Sequence, residues 1–200
     1  MLIRIDDYPY DRFCDKISIV NRDNLWNEFI YQLDLPCCVG IIPGTCSLIE
    51  INQLKHCKVE IEIAAHGLYH KRDEFDGIDC YNNISLMKRV IEQNGIHCDN
   101  FIAPYNKLTE KMTDSLNDLK FRIVQGHRDY RPLQKYNFKY MPFKWYGISK
   151  DFLDYDFSKS DKYDILTLHL PWEEENFNHH YLYELKKLVQ KYVIPWSEII

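Results

Sequence analysis

No apolar run in this 200-residue chain exceeds five or six residues, as in Cys37 to Ile42, far short of the 18 or so that a membrane span requires. The N-terminus, MLIRIDDYPY, reaches an Asp pair by residue 6 without an apolar core or a small-residue cleavage site. No export signal is expected, and the chain is expected to be cytoplasmic. An excess of cations is missing too. The 25 Lys and Arg against 30 Asp and Glu give a net charge of -5. With a pI near 5.9, that leaves no basic field for counterion release, so nucleic acid is not an expected partner. Seven cysteines occur without any CxxC, which excludes a paired thiolate cluster and, being odd and scattered, does not suit a disulfide framework. We read them as reduced, mostly buried thiols, with the vicinal Cys37 and Cys38 pointing to opposite faces of a strand. No repeat of fixed period is found.

What is present suits a compact globular chain. With 46% hydrophobic and 14% aromatic residues, 200 residues bury one full core, and a single domain over residues 1–200 is expected. Short runs rich in Ile, Val and Cys alternate with amphipathic segments, the pattern of βα units around a mainly parallel sheet. Strands are predicted at 2–5, 37–42, 59–65, 100–103, 121–125, 139–143 and 164–170. Behind Asn24, the residues Leu25, Trp26, Phe29, Ile30 and Leu33 recur at helical spacing until Pro36. Ser47 and Glu50 form a capping box for a short helix ending near Leu54. Tyr81, Ile84, Met87, Val90 and Ile91 mark a helix closed by Gly95, Thr109 opens another through Leu119, and a terminal helix carries Leu182, Leu185, Leu188 and Tyr192. About seven strands and six helices result. Glu60 and Glu62, alternating with Val59, Ile61 and Ile63, are expected to face solvent or a helix-borne cation.

Three strands end on residues that bind metals or move protons: Asp6 and Asp7 after the first, His66 and His70 after the third, His169 in the last. In parallel α/β folds the carboxyl ends of the strands share one rim, so these five residues can meet. HGLYH alone is a weak signal, since the eight His of this chain generate an HxxxH about 0.3 times by chance. Singly, an Asp-Asp is also a turn former and a core His is also a packing residue; the convergence carries the argument. The spacing of His66 and His70 suits one turn of helix, with both imidazoles on one face at adjacent positions around a divalent ion. A carboxylate from elsewhere would complete a site open to water and substrate. Gly67 stands where a HExxH zinc protease has its glutamate base, so the base must come from another strand. Adjacent aspartates cannot share one direction, so one can bind metal while its neighbour serves as base. Two His and one carboxylate are also the ligands of iron oxygenases, but the His and acid two residues apart on one strand that those usually carry are absent.

The order IRIDDYP, AAHGLYH, FIAPYN and ILTLHLP, from Ile3 to about Pro171, resembles the polysaccharide deacetylase family, carbohydrate esterase family 4 with the NodB homology domain. The resemblance implies an α/β fold, a distorted and sometimes incomplete (β/α)7-type barrel. It implies Asp6 as base, Asp7 with His66 and His70 as ligands of a divalent metal, usually Zn2+, and His169 as general acid. It also implies an oxyanion hole completed by the backbone N–H of Tyr105, next to Pro104. Tyr8, Tyr69, Trp145 and Trp172 lie near the motif residues and would suit stacking on a sugar face. The chain departs from the family pattern at Gly67, usually Ser or Thr, and at the run Phe101-Ile102-Ala103, where the family has a base-orienting Arg before its Pro-Tyr. Arg4 or Arg128 could replace that Arg from another direction. The HGxxH form is closer to divergent branches of the family.

The expected activity is therefore metal-dependent removal of an N-acyl group, acetyl or formyl, from an amino sugar or glycan biosynthetic intermediate. A substrate met inside the cell would be a sugar nucleotide, a lipid-linked sugar or a small N-acylated amino sugar. His169 must be protonated when the amine leaves, and Asp129, Asp151 and Asp154 are the candidate carboxylates beside it, with His127 the next candidate acid. The alternatives are a degenerate domain that binds glycan without cleaving it, against which Asp6 and His169 count, and an iron enzyme.

Overall fold

The computed structural model describes residues 1–9, 29–127, 129–130, 135–147, 155–169 and 179–199. Seven parallel strands follow one another around a closed barrel in chain order: β1 (Leu2–Tyr8), β2 (Cys37–Ile41), β3 (Ile61–Ala65), β4 (Asn100–Ile102), β5 (Ile123–Gly126), β6 (Lys139–Gly147) and β7 (Ile165–His169). The ring closes by β7 pairing with β1 without a break, from Leu2 opposite Ile165 to Asp6 opposite His169. An incomplete barrel, which the resemblance allowed, is thus replaced by a complete one. Four α-helices are described, α1 (Leu48–Lys55), α2 (Cys80–Gln93), α3 (Glu110–Asp118) and α4 (His179–Val189), and residues 29–33 are helical as well. The helix start expected at Asn24 lies outside the described residues.

Local chemistry sets the helix ends. The Ser47 hydroxyl accepts from the Glu50 N–H at 3.2 Å while the Glu50 carboxylate accepts from the Ser47 N–H at 2.6 Å, so both halves of the capping box form. Thr109 accepts from the Met112 N–H at the start of α3, and Gly95 takes a left-handed turn, φ 72°, just past α2.

The two-residue period of the strands builds two separate cores. Ile3, Ile5, Val39, Ile41, Ile63, Ala65, Val124, Leu166 and Leu168 pack in the larger cluster with Ile51, Leu54, Ile84, Met87, Met112 and Leu116 of the helices. Leu2, Cys38, Ala64, Ile102, Ile123, Met141 and Ile165 fill the lumen. Cys37 and Cys38 divide between the two, as strand neighbours must. The lumen is stoppered at the amino ends of the strands by Trp196, 1% exposed, whose indole N–H donates to the Ile3 carbonyl at 2.9 Å. Its upper layers are polar, with Arg4, Asp6, Asn100, Gln125 and Thr167 all buried. Glu62 corrects the expectation that it faces solvent or a cation. It shares the register of Cys38 and accepts a hydrogen bond from the buried Asn100 amide at 2.7 Å. Burial raises its pKa, partly offset by that hydrogen bond.

Candidate functional site

The carboxyl ends of the strands gather the titratable residues. β1 does not stop at Ile5 but continues through both aspartates to Tyr8, and its register with β2 slips between Ile5 and Tyr8. The slip coincides with Asp7 in a left-handed conformation, φ 67°. A regular strand would send neighbouring side chains to opposite faces. The left-handed residue brings both carboxylates to the barrel mouth, where each meets a different set of partners.

Asp7 Oδ1 lies 3.0 Å from His66 Nε2 and 3.1 Å from His70 Nε2, and one ligand atom from each of the three residues falls within 4.8 Å of the others. His66 Nδ1 donates to the Ile102 carbonyl at 3.0 Å, which fixes the ring and directs Nε2 at the carboxylate, the usual outer support of a metal-binding imidazole. An imidazole nitrogen facing a carboxylate oxygen at 3.0 Å needs a proton or a cation between them, and here two imidazoles face the same oxygen. The charges fit a divalent ion. Arg4 balances Asp6, which leaves Asp7 and two neutral-capable imidazoles as the donor set. Without an ion, burial would raise the Asp7 pKa, but the hydrogen bond and charge of His66 hold it well below the usual carboxylate range. Burial lowers His66, yet Asp6 and Asp7 outweigh it and its pKa is raised. His70, pressed by burial and by the charge of His66, falls to about 4.

The helical turn expected for His66 and His70 is not formed. Residues 66–70 are a loop, with Gly67 at φ 82° and His70 at φ 53°. The physical reason is Glu74, whose carboxylate accepts from the Tyr69 N–H at 2.9 Å and draws the loop around itself. A Cβ at Gly67 would run into Glu74 Oε1 and come within 2.9 Å of the Pro104 ring, so the departure from Ser or Thr has a local cause. Gly40 on β2 similarly leaves room for His66, whose Cβ would be 3.1 Å from a Cβ placed there. The Tyr105 ring stacks on His70 at 4.7 Å between centroids, and its hydroxyl donates to the His70 carbonyl at 3.1 Å.

Asp6 belongs to a second group. Arg4 Nε donates to Asp6 Oδ1 at 2.6 Å and Arg4 Nη2 to Oδ2 at 2.5 Å, with the guanidinium and carboxylate 0% and 1% exposed. Such a bidentate pair fixes the carboxylate in two directions. Burial alone would raise the Asp6 pKa, but Arg4 reverses that and holds it low. His169 Nε2 stands 3.4 Å from Asp6 Oδ2 and 3.9 Å from Asp7 Oδ2. Its pKa is lowered by burial, with Asp6 and Asp7 opposing.

Among the described residues, the carboxylates near His169 are the two aspartates of β1. Asp129 instead faces His127 at 3.3 Å; Asp151, Asp154, Arg128 and Trp172 lie outside the described residues. Tyr8 is fully buried and donates to the Glu50 carbonyl at 3.2 Å, and Trp145 packs edge-on against Phe157, so both serve packing. Tyr69 and Tyr105 remain half exposed at the mouth. Pro104 and Tyr105 form a short 3-10 turn after β4, with Tyr105 at φ 54°. Glu74 and Asn106 were not anticipated. Asn106 Oδ1 accepts from Arg4 Nη2 at 2.7 Å, and an Asn directly after the Pro-Tyr is its only trace in the sequence.

No protein-family model matches the chain, and no curated protein matches it by sequence. Solved structures do match. A Mycobacterium smegmatis protein classed with the polysaccharide deacetylases is 13% identical, with a TM-score of 0.68 over 99% of this chain and 87% of that one. A family 4 acetyl xylan esterase from Clostridium thermocellum, solved with a cobalt ion, is 11% identical, with a TM-score of 0.62 over 99% and 88%. A family 4 pseudoenzyme from Bacillus anthracis is 14% identical, with a TM-score of 0.58 over 98% of this chain and 63% of its own. At such identities the agreement lies in the backbone, and it extends over nearly the whole chain: this protein has the fold of the family 4 polysaccharide deacetylases.

Proposed function

We propose that this chain is a metal-dependent hydrolase that removes an N-acyl group, acetyl or formyl, from an amino sugar or glycan biosynthetic intermediate. The observation that carries the reading is the division of labour between adjacent aspartates. Asp7 meets His66 and His70, while Asp6 meets Arg4 and His169. Asp7, His66 and His70 would hold the divalent ion, most simply zinc, which when bound supplies a Lewis acid and acidifies water. Asp6, kept ionised and oriented by Arg4, accepts the proton of the attacking water. The Tyr105 N–H, on the turn that follows β4, would face the developing oxyanion. His169 gives its proton to the departing amine, and its place 3.4 Å from Asp6 allows the proton taken by the base to be handed on. The half-exposed Tyr69 and Tyr105 offer ring faces to a sugar.

The test is metal reconstitution followed by assay of acetate, formate and free amine from N-acetylated and N-formylated amino sugars, their nucleotide forms and lipid-linked forms. Release from at least one soluble donor is expected. A second reading has a specific observation behind it, since a catalytically inactive protein shares this fold: glycan binding with metal bound but no acyl release would favour a degenerate domain. Bound iron with oxygen uptake would overturn the hydrolase reading in favour of an iron enzyme.

A further inference from the structure

We propose that Asn106 is a positioning residue that locks the base to the oxyanion turn through Arg4. This rests on the hydrolase reading above for its kinetic consequence, but its geometry is independent of it. Arg4 Nη2 donates to two acceptors at once, Asp6 Oδ2 at 2.5 Å and Asn106 Oδ1 at 2.7 Å, while Nε donates to Asp6 Oδ1. One guanidinium plane therefore spans from β1 to the turn after β4. That turn is itself tied at three points. The Asn106 N–H donates to the Ala103 carbonyl at 2.9 Å, the Asn106 carbonyl accepts from the His127 N–H at 3.1 Å, and the Ala103 N–H donates to the Gln125 carbonyl at 2.9 Å.

Two consecutive residues of the turn, Tyr105 at φ 54° and Asn106 at φ 56°, are left-handed. Non-glycine residues enter this region at a cost, with Asn and Asp the least penalised. Asn106 therefore meets two demands, a left-handed backbone and a side-chain oxygen aimed at Arg4, of which glycine satisfies only the first and Asp satisfies both. Because the Tyr105 N–H is carried by the peptide between Pro104 and Tyr105, rotation of this turn moves the oxyanion donor. Because Arg4 holds both oxygens of Asp6, displacement of the guanidinium moves the base. The hydrogen bond that Arg4 donates to Asn106 couples the two positions.

The test compares Asn106→Gly with Asn106→Asp in the metal-loaded protein. In the glycine variant kcat is expected to fall about 10- to 100-fold with KM little changed and metal content intact, the scale on which a misplacement of about 1 Å acts. The aspartate variant is expected to restore most of that loss. A readout free of turnover accompanies it, the 15N NMR signal of the Arg4 Nε–H, which should be slow to exchange in the wild type and the Asp variant and broadened in the Gly variant. Wild-type kcat in the glycine variant, or an Arg4 signal equally protected in all three proteins, overturns the clamp. If the wild type cleaves no N-acyl sugar the hydrolase reading fails, and the NMR comparison alone then decides for or against the clamp.

Discussion

The two ends of the barrel share one alternation of inward and outward side chains but differ in what they do with it. At the amino ends of the strands the lumen is apolar, and Trp196 packs against Leu2, Cys38, Ala64, Ile123 and Ile165 with its one polar atom bonded to Ile3. At the carboxyl ends the inward positions are Asp6, His66 and His169, all buried. The backbone differs in the same sense. Of the left-handed residues described, Asp34, Gly95 and Lys120 merely follow helices, whereas Asp7, Gly67, His70, Tyr105 and Asn106 all surround the mouth. Among the described residues, the left-handed backbone that does not merely follow a helix thus gathers at the mouth together with the buried Arg4–Asp6 pair, and the opposite end supplies packing that tolerates it.

The sharpest way to probe the mouth is Asp6→Asn. The amide keeps the shape but removes the proton acceptor, so kcat should drop about 10²- to 10⁴-fold while metal analysis still finds the ion. Loss of metal with turnover retained would mean that the two aspartates have exchanged roles. At the other end, Trp196→Ala opens the stopper. It should cost about 3–5 kcal/mol in denaturant unfolding, or roughly 10 °C in Tm for a chain of this size, without changing metal affinity. A stability change under about 1 kcal/mol would show that the lumen is held closed by something other than this indole.

Gly67→Ala joins the two themes, because it adds a methyl group against Glu74 and Pro104 at a residue with φ 82°. A loss of about 1–3 kcal/mol is expected, together with weaker metal binding in calorimetric titration, since the loop carries both imidazoles. Undiminished affinity would detach the loop conformation from the ligands. The smallest effect is placed on Glu62. Its pKa lies above the ordinary 4.5 because burial disfavours the charged form. The folded state therefore binds the proton more tightly, and the contribution of Glu62 to stability is fully present below that ordinary value and lost as pH rises through the raised one. Glu62→Gln should stabilise by less than about 1 kcal/mol at pH 7, and the gain should vanish near pH 4. A gain independent of pH would point to packing.

What the sequence disclosed and what it hid divide by range. Strand alternation, the Ser47–Glu50 capping box and the Thr109 cap are local, and each forms as its residue types require. The shared rim followed from parallel βα order, which brings Asp6 beside His169 across β1 and β7. Three features depend on contacts that local spacing cannot express. His66 and His70 looked helical because the four-residue spacing fits a turn, but the Glu74 carboxylate and left-handed Gly67 override it. Glu62 looked solvent-facing because it is charged, but its place in the alternation with Ala64 turns it toward Asn100. The sequence left Arg4 and Arg128 as candidate substitutes for the absent arginine; Arg128 lies outside the described residues, and Arg4, two residues before Asp6 and hence on the same face of β1, holds the carboxylate.

The most direct measurement is the metal stoichiometry of the wild type against a His66→Ala, His70→Ala double variant, by titration with Zn2+ and elemental analysis, with circular dichroism confirming that both proteins are folded. One ion per wild-type chain and none in the folded double variant is the predicted result. Full occupancy in the double variant would contradict the assignment of the mouth as a metal site.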